Sequence, residues 1–355
     1  MAMLLLATIT ISLLIPCTVS GNNISAIFAF GDSTIDPGNN NYIGTWLRSD
    51  HLPYGRDLEE GHIPTGRFSN GKLITDFLVS SLGLKDLLPA YLDPMVADND
   101  LVTGASFASA GSGFDDMTTA VDSVVKMSKQ IEYFEECVGR IGRAVGLEEA
   151  SRVVNDAVFV ISAGTNDVLW NYYDVPTREV EYTMSEYHDF LLNNLNDLVQ
   201  KIYKHGGRKI TVAGLPPVGC LPLQRLANNI ESSVTSLPPQ CIDKQNQDAV
   251  AYNFKLQGLI LTMQPSFPAA QILYVDIFNP LMDTISNPRK FGLEVTNHGC
   301  CGTGFMEMAA TCNGFSKTCP DASKFLFWDC IHPTQAAYRA LADRILETVF
   351  PLLKD

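Results

Sequence analysis

Short apolar runs alternate with amphipathic helical patterns along the chain, and that alternation predicts an α/β fold with a parallel sheet covered by helices on both faces. Two further observations agree. Of 355 residues, 46% are hydrophobic and 18% charged, an ordinary globular composition that excludes disorder, collagen and coiled coil. No Pro/Ser-rich linker, repeat or low-complexity tract divides the chain, so residues 21–355 are expected to form a single domain.

The elements follow in order. Residues 1–20 carry no charged side chain, and the apolar run of 1–15 stops at Pro16 before the small residues Thr18-Val19-Ser20-Gly21. This pattern reads as a secretory signal peptide, since the run is shorter than the ~20 apolar residues a spanning helix needs. A secreted, extracellular protein is therefore expected, with no membrane span. Asn23-Ile24-Ser25 is a glycosylation sequon at the expected mature N-terminus. Residues 24–30 read as the first buried strand, and later strand-like runs lie at 157–162, 209–213, 271–277 and 325–328. The clearest helix spans 178–205. There Met184, Tyr187, Leu191, Leu195, Leu198 and Ile202 recur at spacings of three and four, opposite Glu, Asp and Asn. His205-Gly206-Gly207 supplies its stop.

Charge and cysteine usage bound the function. Lys and Arg number 25 against 39 Asp and Glu, a formal net charge of −14. A nucleic-acid partner needs a basic footprint to neutralise phosphates, and an anionic membrane surface would repel such a chain. Of nine cysteines, Cys17 lies in the signal segment; the remaining eight, an even number, fit an oxidising compartment and up to four disulfides. Their connectivity stays open. The cluster Cys300-Cys301…Cys312…Cys319 favours disulfides over zinc, because adjacent cysteines suit one tetrahedral ion poorly and no Cys-x-x-Cys pair is present.

Chemistry concentrates at the ends of the strand-like runs, where open α/β sheets place their sites. The first run ends in Phe30-Gly31-Asp32-Ser33, a glycine turn presenting a hydroxyl at the sheet edge. Near the other end of the chain, Asp329-Cys330-Ile331-His332 puts a carboxylate and an imidazole three residues apart on one loop. Such a carboxylate can hold the imidazole Nδ1–H and leave Nε2 as a base. The run at 157–162 leads into Gly164-Thr165-Asn166-Asp167, and Phe107-Ala108-Ser109-Ala110-Gly111-Ser112-Gly113 is a loop of small residues. Asn can donate a side-chain N–H, and Gly can bring its backbone N–H close to a substrate oxygen. Gly-x-Ser-x-Gly occurs nowhere, which argues against an ordinary nucleophile elbow. Each block alone also reads as a turn or helix cap.

Taken in order, these blocks resemble the GDSL-type esterases/lipases of the SGNH hydrolase superfamily in their plant form. Phe30-Gly31-Asp32-Ser33-Thr34-Ile35-Asp36 with Gly38-Asn39-Asn40-Asn41 resembles the family's first block. Pro53-Tyr54-Gly55-Arg56, Thr65-Gly66-Arg67-Phe68-Ser69-Asn70-Gly71, Leu215-Pro216-Pro217-Val218-Gly219-Cys220 and Cys300-Cys301 match further signatures. The resemblance covers nearly the whole mature chain. It implies a flavodoxin-like three-layer α/β/α sandwich with a five-stranded parallel sheet. It also implies Ser33 as nucleophile, His332 as general base and Asp329 as its orienting carboxylate. The oxyanion hole it implies is the Ser33 and Gly111 backbone N–H groups with the Asn166 side chain. The expected activity is hydrolysis of carboxylic esters through an acyl-enzyme, without cofactor or metal. An acyltransferase using the same residues, or a non-catalytic secreted binding protein, are the alternatives. The natural ester and the oligomeric state stay open, and an apoplastic location follows if the source is a plant.

Three positions depart from the family pattern: Cys330 where a small residue is usual, Leu58 where Phe is common, and Cys137, outside the usual cysteines. Cys137 and Cys330 would complete an even set as a fourth disulfide, or stand as two buried thiols.

Overall fold

The run Ile-Phe-Ala-Phe-Gly forms β1 (Ile27–Gly31), and all five residues are buried. Burial on both faces is what a near-continuous apolar strand in the middle of a parallel sheet requires. It is followed by β2 (Gly104–Ser106), β3 (Val158–Ser162), β4 (Lys209–Ala213) and β5 (Gln271–Val275), which form one sheet in the order β2-β1-β3-β4-β5. Every pairing is parallel, and Ile27 lies opposite both Gly104 and Val158. The computed structural model describes residues 24–58, 63–231 and 240–353. The expected signal segment at 1–20 and the sequon at Asn23 lie outside the described residues.

The helices are α1 (Ile74–Ser81), α2 (Asp116–Asp122), α3 (Met127–Val145), α4 (Leu147–Asp156), α5 (Met184–Lys204), α6 (Pro222–Glu231), α7 (Asp243–Met263), α8 (Phe278–Ser286) and α9 (Gln335–Thr348). Helix α1 packs on α9, while α3 packs on α4 and α5, and α5 on α7. Right-handed crossovers put these two groups on opposite faces of the sheet, which makes the three-layer α/β/α sandwich. An aromatic layer fixes α3 against the sheet: the Phe134 ring lies 5.2 Å from Phe28 and 5.3 Å from Phe159, both fully buried. Among the described residues, no helix is long and apolar enough to cross a membrane.

The strand runs at 157–162, 209–213 and 271–277 coincide with β3, β4 and β5 to within two residues. Two expectations need correction. The run at 325–328 is not a strand of the main sheet: Phe325–Phe327 forms β7, paired in parallel with β6 (Val295–Gly299) in a separate ribbon. The fifth place in the main sheet belongs to the short Gly-Ala-Ser strand β2 at its edge. The long helix begins at Met184 and not at 178, because Thr183 and Glu186 form a capping box there.

Six cysteines pair as Cys220–Cys241, Cys300–Cys319 and Cys301–Cys312. A fourth disulfide between Cys137 and Cys330 does not form; both are buried free thiols. Their surroundings differ. Cys137 on α3 neighbours Lys85, Asp98 and Arg140, whereas Cys330 neighbours Asp329, Glu307 and Asp174. Burial pushes the Cys137 thiol up to about 12, so it stays protonated and inert.

Candidate active site

The chain leaves β1 for β2 on one side and returns to β3 on the other. The carboxyl ends of β1 and β3 therefore flank the topological switch point, the crevice where open α/β sheets bind ligands. Ser33 follows β1 and Asn166 follows β3, so both reach this crevice by topology alone.

Gly31 ends β1 at φ 151°, where a Cβ would lie 1.9 Å from the Ser162 carbonyl oxygen. Only glycine lets the two strand ends approach this closely. The Asp32 N–H then donates to Ser162 O at 3.1 Å, and the Asp32 carboxylate accepts from Thr34 N at 3.0 Å and from the Thr34 hydroxyl at 2.7 Å. Burial raises the Asp32 pKa above the usual range. This turn leaves Ser33 only 7% exposed, with its Oγ 2.8 Å from His332 Nε2.

His332 stands on the loop between β7 and α9. That loop is pinned at both ends: Trp328 N donates to His332 O at 2.7 Å, and Thr334 N donates to Leu326 O at 3.0 Å. Thr334 also caps α9, its hydroxyl accepting from Ala337 N at 3.3 Å. Nδ1 of His332 lies 2.9 and 2.8 Å from the two Asp329 carboxylate oxygens. A carboxylate can only accept, so Nδ1 carries the hydrogen and Nε2 is free to accept from the Ser33 hydroxyl. Asp329 is fully buried and accepts from Ile331 N at 2.9 Å, from His332 N at 2.7 Å and from the Tyr54 hydroxyl at 2.8 Å. The Phe68 ring lies 4.7 Å from the imidazole and walls it from one side.

Gly111, at φ 86°, sits on the loop following β2. Asn166 stands at the N-terminal edge of a π-helical turn, Asp167–Asp174, and its Nδ2 donates to Ser112 O at 2.9 Å. One amide hydrogen thus ties Asn166 to the Gly111 loop, leaving the second for a ligand. Ser33, Gly111, Asn166 and His332 all line one cavity of about 270 Å³. The five residues singled out from the sequence, these four and Asp329, are therefore brought together at one place. Among the described residues, no group of three or more His, Cys, Asp or Glu side chains could hold a metal ion.

Several residues that hold the site carried no assigned role in the sequence. The Asp36 carboxylate accepts from Gly38 N, Asn39 N and Ala110 N at 2.8, 2.6 and 3.0 Å, tying the turn after Ser33 to the Gly111 loop. Gln130 on α3 accepts from Gly31 N at 2.8 Å and donates to Gly31 O at 3.0 Å and to Ser112 Oγ at 3.1 Å. Asp167 accepts from Phe114 N at 2.8 Å and Asp115 N at 3.0 Å. Burial pushes the carboxyl of Asp36 up to about 6 and that of Asp167 up to about 7. Tyr54 is buried. Burial first, then the neighbouring Asp329 charge, holds its hydroxyl well above its usual pKa, so it remains a donor. Asp36, Tyr54 and Asp167 lie in motif blocks visible in the sequence. Gln130 sits in an amphipathic helix with no local signal.

A family model described as GDSL-like Lipase/Acylhydrolase matches residues 27–345. The chain is similar to a GDSL esterase/lipase of Arabidopsis thaliana, 50% identical over 330 residues that cover 93% of this chain and 91% of that protein. A second GDSL esterase/lipase of Arabidopsis thaliana is 44% identical over 338 residues, covering 94% of this chain and 92% of that protein. Among solved structures, an α/β hydrolase enzyme from the metagenome of Lake Arreo, Spain, aligns with a TM-score of 0.43 and 14% identity, over 93% of this chain and 97% of that one.

Proposed function

Because the chain belongs to the GDSL-like lipase/acylhydrolase family, we infer that it is a carboxylic ester hydrolase working through Ser33, His332 and Asp329. The observation that carries this reading is the unbroken line from the Ser33 hydroxyl to His332 Nε2 at 2.8 Å and from His332 Nδ1 to the Asp329 carboxylate at 2.8 Å.

The geometry supports the following steps. Ser33 Oγ attacks the ester carbonyl carbon as His332 Nε2 takes its proton. Asp329 keeps the imidazole in the required tautomer and stabilises the imidazolium. The carbonyl oxygen, now negative, receives the Ser33 and Gly111 N–H groups and the second Asn166 amide hydrogen. His332 passes its proton to the departing alcohol, leaving Ser33 acylated. Water then repeats the sequence with the same base and regenerates the serine. Pinning of Ser33, Gly111 and Asn166 by Asp32, Asp36, Gln130 and Ser112 means that little reorganisation is needed as the charge develops.

Secretion belongs to the same proposal. The uncharged apolar segment at 1–15 and the three disulfides both favour an exported protein in an oxidising compartment, folded as one domain after removal of the segment. Incubation of the purified protein with short-chain aryl esters, with and without a competing alcohol, tests the activity. Release of free acid in both conditions is expected. A product dominated by the transferred ester would make the protein an acyltransferase, and absence of turnover would leave a binding protein.

A further inference from the structure

The cavity beside Ser33 has walls whose chemistry limits what can enter. Apart from the reacting groups and their donors, it is lined chiefly by Trp46, Leu47, Val121, Trp170, Val175 and Met308, with no Lys or Arg lining it among the described residues. Most of its remaining polar groups are engaged elsewhere. The Thr118 hydroxyl donates to Asp167, and Asn171 Nδ2 donates to Thr118 Oγ1 at 2.8 Å and to the Tyr187 hydroxyl at 3.2 Å. The Thr177 hydroxyl donates to Asn171 O at 3.3 Å, and Asp122 accepts from Trp46 Nε1 at 2.8 Å. A substrate carboxylate would be buried there without a cation beside it, which costs more than an apolar group gains.

Position decides which half of the ester the cavity holds. The leaving alcohol must sit where His332 can protonate it. Most of the cavity wall belongs instead to segments 110–122 and 166–177, which carry Gly111 and Asn166 and lie on the oxyanion side. That wall is left for the acyl chain. Its volume of about 270 Å³ holds roughly nine non-hydrogen atoms at the ~30 Å³ that a water occupies in the liquid. At the mouth, the Trp46–Asp122 hydrogen bond joins the loop after residue 43 to the end of α2, beside the 82% exposed Val121.

Resting on the ester-hydrolase reading, we propose that this cavity is an acyl site for an uncharged medium-chain fatty acyl group, with Trp46 and Val121 setting its length limit. Trp46 and Val121 are both exposed, so substitutions there leave the core untouched. The test is kcat/KM of the purified full chain on p-nitrophenyl acetate, butyrate, octanoate, laurate and palmitate, for wild type, Trp46→Ala and Val121→Trp.

For wild type, kcat/KM rises from acetate to octanoate, by up to about fourfold per added methylene, and falls by palmitate. Trp46→Ala raises the laurate-to-octanoate ratio by about tenfold, and Val121→Trp lowers the octanoate-to-butyrate ratio by a similar factor. An optimum at acetate, a profile that is flat to palmitate, or ratios unmoved by both substitutions overturns the acyl-site proposal while the hydrolase reading stands. Failure to turn over any of the five esters overturns the hydrolase reading itself.

Discussion

At the scale of single residues, Tyr54 is the group whose removal says most about how the site is held. Its hydroxyl donates to Asp329 Oδ2 at 2.8 Å while accepting from the buried Ala309 N–H at 2.9 Å. Tyr54→Phe keeps the ring and deletes both bonds, leaving a buried donor on Ala309 and one fewer donor on Asp329. The unmet groups cost about 1–3 kcal/mol of stability, measurable by urea unfolding. Because Asp329 positions His332, kcat falls by roughly tenfold or more while KM holds. Lost stability with unchanged kcat would reduce Tyr54 to a packing residue. Ser33, Asp329, His332 and Asn166 are legible in the sequence because each stands where an apolar run gives way to a loop, and Gly111 because it lies in a loop of small residues; their roles come from the family resemblance. Tyr54 lies in a visible motif, but its role is not legible, because its partner lies 275 residues away and nothing local records that contact. Gln130 is hidden in the same way, on a helix 99 residues from the strand end it holds.

At the scale of elements, propensity explains what the sequence shows and what it hides. After Lys209, β4 is a short run of apolar and β-branched residues, and its bounds agree with the run at 209–213. β2 is Gly-Ala-Ser, with no side chain that favours a strand; it is held by pairing with β1 and by a bridge from Ser106 to Ala90, a tertiary effect. Phe325–Phe327 has strong strand character, but that character cannot say which sheet it joins. The segment 300–319 is the element with the clearest mechanical role. Cys300–Cys319 and Cys301–Cys312 clasp it twice, and it carries Ala309, which holds the Tyr54 hydroxyl beside Asp329. Replacing Cys301 and Cys312 together by Ser frees a span of 11 residues. The loss of stability should be about 3 kcal/mol by loop entropy, with a parallel loss of kcat. A stability loss without a change in kcat would show that the clasp serves the fold and not the site.

At the scale of the whole molecule, strand order decides where the candidate site lies. The order β2-β1-β3-β4-β5 makes β1 and β3 neighbours across the switch point, so Ser33 and Asn166, 133 positions apart in the sequence, open onto one cavity. Alternation of strands and helices is legible from residues alone. Strand order is not, since parallel neighbours are joined through long crossovers; it enters the sequence reading only with the family resemblance. The 270 Å³ cavity is likewise invisible in sequence, because its walls come from residues between 33 and 332. The reading as a whole stands on Ser33 being the nucleophile. The most direct measurement is reaction of the purified protein with an organophosphonate, followed by peptide mapping by mass spectrometry. One label per chain on Ser33 is expected, with labelling abolished in a folded Ser33→Ala variant whose kcat falls by about 10⁴-fold or more. Stoichiometric label on another serine, or full activity in Ser33→Ala, would contradict it.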